Sequence, residues 1–316
     1  MKRVTIGDVA AHAGVSTATV SRVLNGGLVA ESTAARVWQA AERLGYSPNA
    51  LTRSIFAGRS STIGVVIRDL SSPFYLDLIR GIDEVASAGD SPVMLANTYR
   101  RTDREAAQVR AMDQQRVRGL IITADETADD QARRMAENGT PCVVVARTPP
   151  GLHSVSLDDV AAGRLMAAHL ADCGRTRVGV VRGGSRPTQV KRVEGLRQGL
   201  VERGLRQPEE VVAENEDDVD AAVGSLLHRN DTVVCTTGRL TVAVHTALTA
   251  RGLKMPDDVG FLTVDDFPWA SALGISVVAQ PSYEMGRRAA ELVIEEPAVP
   301  ARIVFQPTLI ARGSCG

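Results

Sequence analysis

The chain has 316 residues, 44% of them hydrophobic and 23% charged, the balance of an ordinary globular protein, and no run approaches the roughly 20 apolar residues needed to cross a bilayer. Its length exceeds what one hydrophobic core usually fills, so a small module joined to a larger one is expected. The net charge of −1 is unevenly spread: through residue 60 there are seven basic and three acidic side chains, a net of +4, which leaves −5 for the remainder, the asymmetry expected when only one end meets phosphates.

The first element begins at Thr5-Ile6-Gly7-Asp8, a capping-box variant in which the Thr5 hydroxyl accepts from the Asp8 amide and the carboxylate complements the helix dipole. A helix to about residue 13 follows, then a turn at Gly14-Val15 and a second helix over 17–24, capped by Ser16. Val20, Val23 and Leu24 share one apolar face of the second helix, while Thr17, Ala18, Ser21 and Arg22 form the other. A third helix over 32–44 carries Val37, Ala40, Ala41 and Leu44 at helical spacing and closes a three-helix core.

Three stretches carry a family likeness: Val4-Thr5-Ile6-Gly7-Asp8-Val9-Ala10, the run from Ala13-Gly14-Val15-Ser16 through Arg22-Val23-Leu24-Asn25, and Gly45-Tyr46-Ser47-Pro48-Asn49-Ala50. Over the roughly fifty residues that these stretches span, the chain resembles, without gaps, the helix-turn-helix head of the LacI-type bacterial transcription regulators. The resemblance implies a recognition helix in the major groove whose leading residues choose the operator, here Thr17, Ala18 and Arg22, with Thr5, Ser16, Ser21 and Asn25 in supporting contacts. Arg pairs bidentately with guanine, and Thr and Ala can touch a thymine methyl. Thr19 is expected to pack rather than to read bases.

Residues 46–60 are the expected hinge, with 1–45 as the DNA-binding domain. In the family the two hinges of a dimer fold against each other on DNA, and an apolar side chain from each is levered into the minor groove. Counting from Pro48-Asn49, that position is Ile55, a wedge stiffened by β-branching that kinks the duplex at a flexible step.

From Thr62 the pattern changes to short β-branched runs at 63–67, 93–96, 119–123, 142–146, 178–181, 233–236, 259–263 and 276–278, with helices between them such as 73–88, 158–173 and 241–251. Buried runs alternating with helices imply doubly wound parallel sheets, and there are too many units for one. The fold class is therefore a small all-α head plus an α/β body of two lobes. Ile63-Gly64-Val65, Ser72-Pro73-Phe74-Tyr75, Arg118-Gly119-Leu120-Ile121 and Pro256-Asp257-Asp258-Val259-Gly260 resemble the periplasmic-binding-protein-like body of the same family. That likeness puts lobe crossings near Ser156, Gln280 and Phe305: one lobe of residues 61–156 with 281–303, the other of 157–280 with 304–316.

By position, the family's effector contacts fall on Asp69, Ser72, Phe74, Arg147, Arg186, Thr188, Arg192, Asn215, Thr237 and Asp265, with Arg239 added by a departure from the pattern. Arg192 and Asp265 are expected to face each other across a cleft and hold adjacent hydroxyls or ring nitrogens, and Phe74 to offer a stacking face. The departures are Ala146 where the family often has a carboxylate, and Gly238-Arg239 where it often has Asn-Asp. Losing two acceptors and gaining a guanidinium favours an anionic or phosphorylated effector, or a substituted sugar; if Arg239 instead pairs with a local carboxylate such as Asp265 or Asp266, a neutral sugar is favoured.

Other function classes are weaker. His12, His153, His169, His228 and His245 lack metal-ligand spacing, Asp129-Asp130 and Asp217-Asp218 read as solvated helix caps, and no P-loop is present, so neither an enzyme nor a cofactor is expected. Cys142, Cys173, Cys235 and Cys315 lie far apart, with no Cys-x-x-Cys pair, and read as reduced thiols, three of them buried. The polar N-terminus points to a cytoplasmic protein rather than a secreted carrier. No leucine-heptad tail follows Arg312, so a homodimer on a pseudo-palindromic double-stranded operator, with no membrane partner, is expected. The likeness leaves induction and corepression open and favours induction.

Overall fold

In the computed structural model, residues 4–24, 27–46, 60–123 and 125–316 are described. Asn25, Ile55 and nearly all of the expected hinge lie outside them. The chain divides into two compact units, a head and a body.

The head holds three helices, α1 (Ile6–Ala13), α2 (Thr17–Leu24) and α3 (Glu31–Leu44). The capping box forms as the sequence predicts: the amide and hydroxyl of Thr5 donate to Asp8 Oδ2 at 2.8 and 2.7 Å, and the Asp8 amide donates back to Thr5 Oγ1 at 3.4 Å. Gly14 ends α1 at φ 65°, a left-handed conformation costly for any residue with a Cβ. Val9, Val20 and Val37, one from each helix, are fully buried at the centre of the cluster that Val23, Leu24 and Ala40 complete.

The body begins with β1 (Ile63–Ile67), α4 (Pro73–Ala88), β2 (Val93–Asn97), α5 (Thr102–Gln114), β3 (Gly119–Ile122), α6 (Asp129–Glu137), β4 (Cys142–Val145) and β5 (His153–Leu157). It continues with α7 (Asp159–Asp172), β6 (Val178–Arg182), α8 (Pro187–Val201), β7 (Glu209–Val212), α9 (Val219–Leu227), β8 (Thr232–Cys235), α10 (Thr241–Ala250), β9 (Gly260–Val264), α11 (Pro268–Ala272) and β10 (Ser276–Ala279). The last elements are α12 (Ser282–Glu295), β11 (Arg302–Phe305) and β12 (Thr308–Ile310).

The strands form two six-stranded sheets, ordered β11-β5-β4-β3-β1-β2 and β12-β10-β9-β8-β6-β7. Every pairing is parallel except β10 with β12. Each sheet is the centre of one lobe, and the chain passes between lobes three times: after β5, after β10 and between β11 and β12. The central strands are fully buried runs such as Ile63–Ile67 and Gly260–Val264, because helices cover both faces.

Helices on one face of each lobe touch closely through glycine. A Cβ added at Gly81 on α4 would run into the Tyr283 carbonyl of α12, and one at Gly286 into the Leu78 carbonyl of α4. The other lobe repeats the device: Gly163 on α7 lies against the Arg192 carbonyl, and Gly195 on α8 against the Val160 carbonyl. These contacts fix α4 and α8, whose N-terminal turns border the cleft between the lobes.

Candidate functional site

On α2 of the head, Thr17, Ala18 and Arg22 are exposed and Ser21 is half-buried, opposite the face that Val20, Val23 and Leu24 turn to the core. The hydroxyls of Ser16 and Thr19 are 2.9 Å apart, and Ser16 Oγ accepts from the Thr19 amide at 3.1 Å. Ser16 and Thr5 are thus engaged in helix caps while exposed, and Thr19 is tied back to its own helix start.

In the body, a cleft of about 500 Å³ opens between the lobes at the carboxyl ends of the strands, where ligands bind in open α/β sheets. One wall comes from Arg68, Asp69, Ser72, Tyr75, Tyr99, Arg100 and Asp125, the other from the Gly183–Gly184 loop, Arg186, Gln189, Glu214, Asn215, Thr237 and Arg239. A small inner recess continues from it past Ser72, Phe74, Arg186, Thr188 and Thr237 to Arg192, Asp265 and Gln280. The structure thus brings together every expected effector contact but one.

The exception is Arg147. Its guanidinium forks onto Asp129 at 3.0 and 2.7 Å, both side chains less than a tenth exposed, and it lines an adjoining pocket of about 540 Å³. Asp129 is correspondingly not a solvated cap but a buried carboxylate with a dedicated cation.

The expected Arg192–Asp265 pair also needs correcting, because the two residues stand on the same lobe. Both fall between the first two lobe crossings, so the sequence already held that information. Arg192 on α8 donates to Asp159 Oδ1 at 2.8 Å and to the Thr236 carbonyl at 3.0 Å. Its third donor reaches Gln280 Oε1 at 3.0 Å, and Gln280 Nε2 donates to Asp265 Oδ1 at 2.6 Å. Burial pushes the carboxyls of Asp265 and Asp159 above the ordinary aspartate value, more than Arg192 pulls them down.

Asp265 and Ala146 end equivalent strands, β9 and β4, and both have left-handed backbones, at φ 70° and 68°. Asp tolerates that conformation; Ala gives up about 1 kcal/mol to it. Gly238, the other departure from the family pattern, leaves the space in which Asp265 sits, since a Cβ there would collide with Asp265 Oδ2.

Arg239 pairs with neither Asp265 nor Asp266. Its Nη2 donates to the Glu214 carbonyl at 2.9 Å, while Asp266 takes Arg312 at 2.7 Å. Phe74 meets Tyr75 edge to face with ring centroids 5.2 Å apart, leaving a rigid apolar edge on the recess.

Several lining residues are missed as site residues by a reading of the sequence, chief among them Arg68, Arg100 and Gln280. Arg68 is held by Glu105 and Asp125. Arg100 has its backbone at φ 62° and reaches from one lobe to the other: Nε lies 3.2 Å from Asp69 Oδ2, and Nη1 donates to the Glu214 carbonyl at 3.2 Å. Gln280 is legible only as a crossing point.

Among the described residues no cluster of three or more His, Cys, Asp and Glu side chains is placed to hold a metal, and no helix is long and apolar enough to cross a membrane.

Comparison with known proteins agrees with this geometry. Residues 5–49 match the model of bacterial regulatory proteins of the lacI family, and residues 60–312 that of periplasmic binding proteins and the sugar binding domain of the LacI family. The chain is 32% identical to the ribose operon repressor of Escherichia coli strain K12, over 98% of this chain and 99% of that one. It resembles a solved LacI-family transcriptional regulator of Silicibacter pomeroyi at 25% identity and a TM-score of 0.84, covering 99% of both chains. It is also similar to the transcriptional regulator CelR solved with cellobiose, at 27% identity and a TM-score of 0.71 over 99% of this chain and 100% of that chain. The chain belongs to the LacI family of bacterial regulatory proteins. It is a DNA-binding transcription regulator with an effector-binding body.

Proposed function

We propose that the protein is a cytoplasmic, non-enzymatic repressor that binds a pseudo-palindromic operator as a homodimer and is released by a sugar-class effector in the cleft between its lobes. The observation that carries the reading is the division of labour on α2: Val20, Val23 and Leu24 close the head core while Thr17, Ala18 and Arg22 stay exposed, as base readout in the major groove requires. Arg22 forks onto a guanine, and Thr17 and Ala18 take neighbouring base edges.

The effector enters the cleft with its hydroxyls on the Arg192–Gln280–Asp265 chain and its ring edge against Phe74. Because the two walls come from different lobes, a ligand touching both changes their relative orientation, and this is the motion that alters operator affinity. By linkage, effector and operator change each other's affinity by the same factor.

Selection of operators from random duplexes, with the intact protein and with or without a panel of sugars, tests this directly. The expected result is an inverted repeat with a flexible central step, depleted when an effector is added. Failure to enrich any duplex at modest ionic strength overturns the reading.

A further inference from the structure

We propose that the outer cleft contains an anion subsite formed by Arg100 and Arg239, so that the effector is a phosphorylated sugar rather than a neutral one. This deepens the cleft reading above and rests on it.

The two guanidiniums come from opposite lobes and converge on one neutral acceptor: Arg100 Nη1 lies 3.2 Å and Arg239 Nη2 2.9 Å from the carbonyl oxygen of Glu214. Arg100 has Asp69 beside it at 3.2 Å, but Arg239 forms no ion pair among the described residues. A third cation stands nearby. Arg186 Nε is buried without a hydrogen-bond partner, and its nearest carboxylate, Asp125 at 3.7 Å, is already held by Arg68.

Glu214 also lines the cleft, but its side chain is exposed, where water screens it. Burial, and next to it the Arg100 charge, lower the Arg239 pKa more than the carboxylates of Asp69 and Glu216 raise it. A phosphoryl group supplies two charges and three acceptor oxygens, which fit two forked donors; a sugar hydroxyl supplies neither. Since Arg100 and Arg239 belong to different lobes, the same group would draw the lobes together.

The test uses the intact protein and inorganic phosphate, titrated calorimetrically at constant ionic strength against chloride. Phosphate is expected to bind at millimolar concentration, and Arg239→Gln or Arg100→Gln to weaken it at least tenfold. If either Gln variant fails to fold, the Arg→Lys variant is read in its place, with a severalfold loss expected because a point charge replaces a fork. In the second arm, matched pairs of sugars and their phosphate esters are compared, and the ester is expected to bind at least tenfold tighter than its parent. Phosphate that does not bind, phosphate binding that ignores both substitutions, or a neutral sugar that binds as well as its ester overturns the proposal. Operator binding measured on the same samples separates the two readings. A protein that holds its operator yet ignores phosphate keeps its regulator role and loses the anion subsite; one that binds phosphate through Arg100 and Arg239 but holds no duplex does the reverse.

Discussion

Arg192 and Asp265 never touch, yet one amide holds them in register: Gln280 accepts from Arg192 Nη2 at 3.0 Å and donates to Asp265 Oδ1 at 2.6 Å. Gln280 also sits where the chain leaves one sheet for the other, so the inner floor of the cleft and a lobe crossing are the same residue. Gln280→Met removes both bonds at similar volume. It is expected to cost about 1–3 kcal/mol, because two buried polar groups each lose a partner, and to weaken effector binding. Urea unfolding and calorimetry with the selected effector measure the two effects, and an unchanged midpoint would show that the amide is not the tie.

Asp265 makes stability depend on pH. Its folded pKa lies above the ordinary aspartate value of 3.8 because burial penalises the charge. The folded state therefore holds the proton more tightly than the unfolded one. The favourable contribution is complete below pH 3.8 and is lost as pH rises through the folded pKa. Asp265→Asn keeps a side-chain oxygen to accept from Gln280 and removes the charge. Its gain in unfolding free energy over wild type should grow as pH rises from 4 and then level off, with effector affinity lost. A gain that shrinks with pH would contradict this account.

The Arg147–Asp129 pair is buried on both sides. Asp129→Asn removes the carboxylate charge onto which this buried guanidinium forks, and about 3 kcal/mol of stability should go with it. Operator binding at low temperature, where the protein remains folded, should be retained. A loss below about 1 kcal/mol would mean that water reaches Arg147 freely.

Gly195 sits on the Val160 carbonyl where α8 crosses α7. Gly195→Ala forces the helices apart, at a cost of about 1–3 kcal/mol, and carries Arg192 away from Gln280. Thermal unfolding should show the first effect, and effector affinity falling beyond what the stability loss explains should show the second. Gly204→Ala, at a left-handed turn after α8 with open space around it, should destabilise without the selective loss in affinity.

In the head, Arg22→Ala should weaken binding of the selected operator by about 1–3 kcal/mol and relax the preference at one base pair per half-site. Competition against duplexes substituted at each position reads out both effects. A uniform loss at every position would make Arg22 a phosphate contact instead.

How far the sequence carries differs between strands and site. The eight strand runs read from apolar blocks are all present within a residue or two; seven are central strands, buried on both faces and so apolar, while β2 is an edge strand that is apolar despite exposing Met94 and Leu95. The four unread strands are polar or short. β7 starts Glu209-Glu210 at a sheet edge, β11 and β12 are edge strands of four and three residues, and β5 buries Ser154 and Ser156 between β4 and β11. Nothing local distinguishes β5 from a loop, because its outer neighbour arrives only near residue 302.

The site followed the same rule. Ser72, Arg192 and Asp265 could be placed at the cleft by their position in the family likeness, on a helix cap, a helix and a strand end. Arg100 could not, because its reach depends on consecutive left-handed residues at Tyr99 and Arg100. Nor could the diversion of Arg147, which needs Asp129 brought beside it from eighteen positions away.

The late return of the chain to both sheets bears on how the protein is made. The head's three helices are all made by Leu44, whereas β11 completes one sheet and β12 the other within residues 302–310. Once β10 has been made, both lobes are incomplete together, because β5 still lacks β11 and β10 still lacks β12 as outer neighbours. Nascent chains of this protein should therefore lean on holdase chaperones most heavily while β5 and β10 wait for these last two strands.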